Sequence, residues 1–242
     1  MKLAALEVSF GNKPIRFSYR NQSLGDKGVV KQIFQNSDYN IAHWPQGKRF
    51  VEYFHEHTQN QQGLIIDAGA NIGASAVYFL EIYNNSYVYA IEPDRENVSL
   101  LTLNTQPYEA VHIFHGAIAG QDGDLYLEDP GHSDWGFRTR KKDQANSESV
   151  KVSAISPKTI LQKTKHMKPM MFKIDIEGGE ESLFEGDTSW MREFPLLIIE
   201  LHDWMLPFSG SSKNFFKAIA QYEFDFVHKG ENIFLFNREL LC

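Results

Sequence analysis

Residues 64–80 read LIIDAGANIGASAVYFL, and this stretch constrains the fold more than any other. An apolar run ends on Asp67, a turn follows with Gly69 and Gly73 around Asn71, and apolar residues then recur at helical spacing. A strand that turns through small residues into a helix lets backbone approach a ligand. The unpaired N–H groups and positive dipole end of that helix face the same spot. The stretch predicts a nucleotide-type loop. The dinucleotide pattern G-x-G-x-x-G, aligned on Gly69, needs glycine at 71 and 74, where the chain has Asn71 and Ala74. The phosphate loop G-x-x-x-x-G-K-[ST] is absent as well, because Ala74 and Ser75 stand where it needs glycine and lysine. A nicotinamide oxidoreductase is therefore disfavoured.

What remains is Asp67-x-Gly69-x-Asn71-x-Gly73, with an acid ahead of the loop. A carboxylate there repels a pyrophosphate and suits a ligand that carries a positive group, such as an amino acid ammonium. Glu92 closes the next strand, YAIEPD, 25 positions after Asp67. That is where an acid can take ribose hydroxyls in this topology. A cationic amino acid joined to adenosine is S-adenosylmethionine.

The rest of the chain fits an α/β domain over 61–242, preceded by an N-terminal extension over 1–60. ALEVSF and PIRFSY read as strands around the turn GNKP, and Phe50, Tyr53, Phe54 and His57 fall at i, i+3, i+4 and i+7. This extension is expected to form a β and helical cap. From residue 63 short apolar strands alternate with helices: LIID, ASAVYFLEIY, YVYAIEP, RENVSLLTLN, VHIFHGAIA. That alternation argues for parallel βαβ units in a doubly wound, Rossmann-like sheet covered on both faces. Residues 121–155 break the rhythm with two β segments around a polar loop. The alternation then resumes through MMFKIDIE, GGEESLFEG, PLLIIELH and SKNFFKAIAQY, and the tail reads as a hairpin turning at Lys229-Gly230.

The motifs IIDAGANIG, AIEPD, GAIAGQDGDLYL, FKIDIEGGEESLFEG and LLIIELH, taken in order over roughly residues 60–205, resemble those of FkbM-type methyltransferases. The resemblance implies an S-adenosylmethionine-dependent enzyme with a seven-stranded Rossmann-like sheet whose last strand is antiparallel. It implies that Asp67, Gly69, Ala70, Asn71 and Gly73 line the methionine portion of the cofactor. Glu92, with Pro93 beside it, would hold the ribose, and Ala117, Ile118 and Asp122 would flank the adenine. Gly69 and Gly73 can also be simple turn glycines, Glu92 can cap the helix after it, and Asp122 sits in an ordinary turn sequence.

Methyl transfer displaces a neutral sulfide, so the enzyme must align a nucleophile and remove its proton. In open α/β sheets this happens beyond the carboxyl ends of the strands. After MMFKI come Asp175, Glu177 and Glu180; after PLLII come Glu200, His202 and Asp203. Residues 175 and 177 share one face of extended chain, as do 200 and 202. His202 suits a general base near neutrality and ranks first, then Asp175, with Glu177 and Glu200 in support. The competing readings are structural: Glu177 and Glu180 capping the helix that opens at Gly178, Lys173 pairing Asp175, and His202 in an ordinary loop. A divalent cation held by Asp175, Glu200 and His202 is the lesser expectation, since no compact ligand signature supports it. His132, Asp134 and Trp135 in PGHSDWGFRTR are candidates for the acceptor, with Trp135 as a stacking platform or as an anchor to the core.

The expected reaction is O-methyl transfer to a small-molecule or carbohydrate hydroxyl, and the rival is a non-catalytic cofactor-binding module of the same fold. The formal net charge of −7 disfavours nucleic acid as a partner. The basic run Arg138-Thr139-Arg140-Lys141-Lys142 reads as a solvated loop. Cys242 is the one cysteine, so no internal disulfide forms. No segment approaches the ~20 apolar residues of a membrane span, and Glu7 and Asn12 interrupt the N-terminal apolar stretch. A cytoplasmic location is the simplest expectation, and oligomeric state is left open.

Overall fold

The computed structural model describes residues 2–11, 13–128, 149–205 and 207–242, and the backbone alone of 138–140. Strands β1 (Leu3–Phe10) and β2 (Lys13–Arg20) pair as an antiparallel hairpin. Helix α1 (Leu24–Val30) follows, where the Ser23 hydroxyl accepts the Asp26 N–H at 3.0 Å and satisfies one orphan donor of the first turn. It runs on as a π-helical turn, Lys31–Gln35. Helix α2 (Pro45–His57) opens on a proline, which lacks only a donor that the first turn could not use. Its Phe50, Tyr53 and Phe54 are buried at the spacing read from the sequence.

The chain then alternates: β3 (Gly63–Ala68), α3 (Ala74–Ile82), β4 (Ser86–Glu92), α4 (Arg95–Thr105), β5 (Val111–His115). A second β region comprises β6 (Ala117–Ile118), β7 (Gly123–Glu128), β8 (Arg138–Arg140) and β9 (Val150–Ile155). After it come α5 (Pro157–Lys163), β10 (Lys168–Ile174), α6 (Glu180–Leu183), β11 (Leu196–Glu200), α7 (Lys213–Ile219), β12 (Phe224–Lys229), β13 (Asn232–Asn237) and α8 (Arg238–Leu241).

The main sheet has seven strands in the order β12-β13-β11-β10-β3-β4-β5. Neighbours from β11 through β5 are parallel, and β13 is wedged antiparallel between β11 and β12. The fold is therefore the expected doubly wound α/β sheet. Every residue of β3, β11 and β13 is buried, which is why these strands read as continuous apolar runs without alternation. Strand β3 lies between β4 and β10, where the strand order reverses, and ligands bind beyond the strand ends at such a point.

One apolar core lies on each face. The first joins Ile65, Val77 and Phe79 to Phe17, Ile33 and Phe50, so the first 60 residues pack onto the sheet through shared apolar contacts. The second joins Phe172, Trp190, Phe194 and Phe215.

Two local readings need correction. VHIFHGAIA reads as one strand but is two. At Gly116 the chain leaves the main sheet and β6 enters a four-stranded sheet ordered β6-β9-β7-β8. A Cβ at Gly116 would stand 2.4 Å from the Ser153 carbonyl oxygen, so the two chains meet there only because the side chain is absent. The helix expected to open at Gly178 is only the four residues of α6. No helix among the described residues is long and apolar enough to cross a membrane.

Candidate active site

The loop between β3 and α3 is built by backbone constraints. Gly69 has φ +75°, and a Cβ there would lie 1.7 Å from the Asp175 carbonyl oxygen. This glycine lets β3 and β10 close together at their ends. Gly69 and Ala70 both donate their N–H groups to the Ile91 carbonyl at 3.0 Å. Asn71, in the left-handed region at φ +48°, donates its N–H to Glu92 Oε2 at 2.8 Å, and Gly73, at φ +90°, starts α3. Glu92 is 5% exposed, and its Oε1 accepts from Asp94 N at 3.0 Å and Asn97 Nδ2 at 3.4 Å. Burial pushes the carboxyl up to about 7, against the opposing pull of the bonds from Asp94, Asn71 and Asn97. Asp94, not Glu92, caps α4 by accepting the Asn97 N–H at 2.8 Å. The Pro93 carbonyl lies 3.2 Å from His115 Nε2.

Asp67 is fully buried, takes the Ser75 hydroxyl at 2.6 Å, and lies 3.3 Å from Lys173 Nζ. Lys173 is itself buried and donates to the Gly69 carbonyl at 2.7 Å. The charge of Asp67 is answered inside the protein, and its geometry is that of an anchor for the loop through Lys173. Ala117 and Ile118 are buried in β6. Asp122 is exposed and engaged at the start of α5, accepting from Ser156 N at 2.6 Å and Thr159 Oγ1 at 2.7 Å. Burial is the largest single effect and raises its carboxyl, but these bonds together with the Lys163 charge outweigh it and hold the carboxyl below the ordinary range.

Asp175, Glu200 and His202 converge at the ends of β10 and β11, each presenting one ligand atom within 4.8 Å of the others. His202 is 2% exposed. Its Nδ1 lies 2.7 Å from Glu180 Oε1, and its Nε2 stands 3.5 Å from Asp175 Oδ1 and 3.6 Å from Glu200 Oε1. Burial opposes a charged ring, but Asp175 and Glu180 outweigh it and push the imidazole up to about 11. Both carboxylates thus favour the charged form of the ring. The Asp175 carboxyl is held well below its usual range: burial raises it, but Lys173 and His202 prevail. Glu200 is raised to about 8, by burial first and the Asp175 charge second. Glu180 does not act as a solvated helix cap: it is fully buried and turned onto His202.

These groups open into a cavity of about 280 Å³ that Asn71, Glu177, Trp204 and Glu231 also line, with Leu24 and Gly28 of α1 on the opposite wall. A larger cleft of about 1150 Å³ lies between α5 and the turn Ser189–Glu193, and contains none of the strand-end acids. Chemistry and position favour the smaller cavity. Trp204, 60% exposed, and Glu231 were not anticipated from the sequence; an aromatic two residues past His202 was the available signal. His132, Asp134 and Trp135 lie outside the described residues.

The fold and the paired strand-end motifs define a class, and comparison gives the family. The chain belongs to the methyltransferase FkbM domain family, whose model matches residues 67–229. It is similar to hexuronic acid methyltransferase AglP of Haloferax volcanii, at 26% identity over 144 residues, which cover 59% of this chain and 57% of that protein. It also aligns with the crystal structure of methyltransferase FkbM from Methylobacillus flagellatus, at 16% identity and a TM-score of 0.48, covering 89% of this chain and 56% of that one. A methyltransferase from Geobacter sulfurreducens aligns at 11% identity and a TM-score of 0.40, covering 89% and 90%. The chain spans a little over half the length of AglP and of the Methylobacillus protein.

Proposed function

We propose that this chain transfers the methyl group of S-adenosylmethionine to a hydroxyl of a small molecule or glycan. The observation that carries this reading is the adjoining of two features at the sheet's switch point. One is the Gly69–Gly73 loop tied to Glu92. The other is the Asp175, Glu200 and His202 cluster, in a cavity that Asn71 also lines. Glu92 retains acceptor capacity for ribose hydroxyls, and the loop backbone suits the methionine portion. Ala117 and Ile118 offer an apolar wall for the adenine.

On the acceptor side the cluster withdraws the hydroxyl proton. Glu200 is the member suited to receive it, because burial and the Asp175 charge raise its carboxyl to about 8. Asp175 and His202 hold Glu200 and the nucleophile in place. Trp204 gives a face on which a sugar ring can stack. The N-terminal segment acts as the lid of this pocket, since α1 supplies one wall. The name of AglP, a hexuronic acid methyltransferase, is consistent with a carbohydrate acceptor.

The test is calorimetric titration with S-adenosylmethionine, S-adenosylhomocysteine and NAD, followed by turnover to S-adenosylhomocysteine across a panel of sugars. Micromolar binding of the sulfur ligands alone, weakened in Glu92→Ala, is the expected result. NAD binding in their place, or cofactor binding with no turnover on any hydroxyl acceptor, would overturn the reading.

A further inference from the structure

We propose that Asp175, Glu200 and His202 form a binding site for a divalent cation of the Mn²⁺ or Mg²⁺ class, with Glu180 fixing the histidine from behind. Cation binding goes beyond the methyl-transfer reading and is measured independently of it.

The geometry around His202 is unusual for an ordinary buried histidine. Its Nδ1 makes one short bond, 2.7 Å, to the wholly buried Glu180. Its Nε2 closes on neither facing carboxylate, standing 3.5 Å from Asp175 and 3.6 Å from Glu200. Both exceed the usual 2.7–3.2 Å of an N–H···O bond. Glu200 is only 9% exposed, and among the described residues its carboxylate's ion-pair approach is this long one to His202. Glu200 also lines the cavity, where water or a cation can complete the coordination of its carboxylate.

The three ligand atoms lie within 4.8 Å of one another, two of the separations being 3.5 and 3.6 Å, close to the roughly 3–3.6 Å that bonds of about 2.0–2.3 Å to a shared small cation would set. A carboxylate on the far nitrogen of a metal-binding histidine fixes the tautomer and points the other nitrogen at the metal, and Glu180 has that position. The donor set is two carboxylates and one imidazole, which suits hard or borderline divalent ions, with water or an acceptor hydroxyl filling the open positions. The side chain of Asp175 is 32% exposed, so the site has an opening to the cavity. Asp175, Glu177, Glu200 and Glu231 line that cavity, whose described lining includes no lysine or arginine, and the field there favours a cation. Lys173, the nearest fixed cation, contacts Asp175 through Oδ2, leaving Oδ1 directed at His202. A cation held here would bind the acceptor oxygen and make its hydroxyl more acidic.

The experiment is Mn²⁺ binding to chelator-treated, dialysed protein, read by electron paramagnetic resonance and calorimetry without cofactor or acceptor. One Mn²⁺ per chain with a Kd below about 100 μM is expected. Binding should weaken at least tenfold in Asp175→Asn and Glu200→Gln, and 10–100-fold in Glu180→Gln. The surface control Glu193→Gln should bind like the parent. Circular dichroism of each variant separates lost binding from lost folding, and Mg²⁺ competition reports which ion class fits. A folded parent with no saturable site up to millimolar Mn²⁺, or a site that persists unchanged in Asp175→Asn and Glu200→Gln, overturns the proposal. Either result leaves the cofactor titrations untouched, so failure of the cation site and failure of the methyltransferase reading are told apart.

Discussion

Arg20 Nη2 donates a 2.7 Å hydrogen bond to Asn97 Oδ1, across 77 positions of sequence, and thereby joins the end of β2 to the helix behind Glu92. Asn97 Nδ2 reaches Glu92 Oε1 at 3.4 Å, and Glu92 in turn holds the Asn71 N–H. On its other side Arg20 forks onto Asp26 in α1, with Nη2 2.6 Å from Oδ1 and Nε 3.0 Å from Oδ2. One buried chain of polar contacts thus links α1, which lines the cavity beside His202, to the acid proposed for the ribose. Removing one member strands a buried charge. Arg20→Met is expected to destabilise the fold by about 3–5 kcal/mol. The double variant Arg20→Met, Asp26→Leu should recover much of that loss, because no charge is then orphaned. Urea unfolding of the three proteins checks this. Equal instability of the single and double variants would show that packing, not the orphaned carboxylate, dominates.

Glu92 gives a pH dependence whose sign can be worked out. Its carboxyl is raised from an ordinary value of 4.5 to about 7, so the folded chain binds its proton more tightly than the unfolded chain does. The associated stability is fully present below pH 4.5 and is lost as pH rises through 7, a change on the order of 3 kcal/mol. Ribose hydroxyls donate to the carboxylate, so affinity for S-adenosylhomocysteine should move the other way, rising from pH 5.5 to pH 8. Glu200 adds to the stability trend in the same direction. Glu92→Gln isolates the share of Glu92: it should flatten both the ligand affinity and that part of the stability curve. A parent protein with the same affinity at both pH values would remove Glu92 from the ribose site.

Gly69 was legible as a loop glycine, and the structure adds a packing reason that the motif does not carry. The space a side chain would need is filled by the Asp175 carbonyl oxygen. Alanine there would force the ends of β3 and β10 apart and would also be strained at φ +75°. Gly69→Ala is expected to cost more than about 2 kcal/mol and to abolish cofactor binding. Thermal melts and S-adenosylhomocysteine titration check the two effects. A variant that melts and binds like the parent would mean the loop can shift freely against β10.

The sheet was readable because its strands are buried on both faces and appear as short apolar runs between helices, of which LIID and PLLII are the plainest. The break at Gly116 was not readable, because AIA continues the apolar run of VHIFHG without a change of pattern, and only the approach of Ser153 decides where the chain leaves the sheet. The site was half legible. The motifs put Asp175, Glu200 and His202 at strand ends, and adjacency in the sheet brings them together. The surroundings of His202 were not legible, since they include Glu180, which turns inward from a sequence, EGGEE, that reads as a solvated helix start. The pairing of Asp67 with Lys173 was hidden for a similar reason. Lys173 is 106 residues away from Asp67 and meets it only through the β3–β10 pairing.

Trp204 separates acceptor binding from everything else. It stands at the cavity beside His202 and is 60% exposed, so it contributes little to the core. Surface positions of this kind usually change stability by no more than about 0.5 kcal/mol on substitution. A sugar face stacked on the indole is worth about 0.5–1.5 kcal/mol, or roughly 2–12-fold in affinity. Trp204→Ala should therefore raise the acceptor KM by that factor, with the melting temperature and S-adenosylhomocysteine affinity unchanged, and Trp204→Phe should restore part of it. Steady-state kinetics on the acceptor found in the sugar screen measures the effect. A drop in kcat at constant KM would instead show that Trp204 orders the reacting groups. That outcome would shift the stacking platform to another part of the cavity wall.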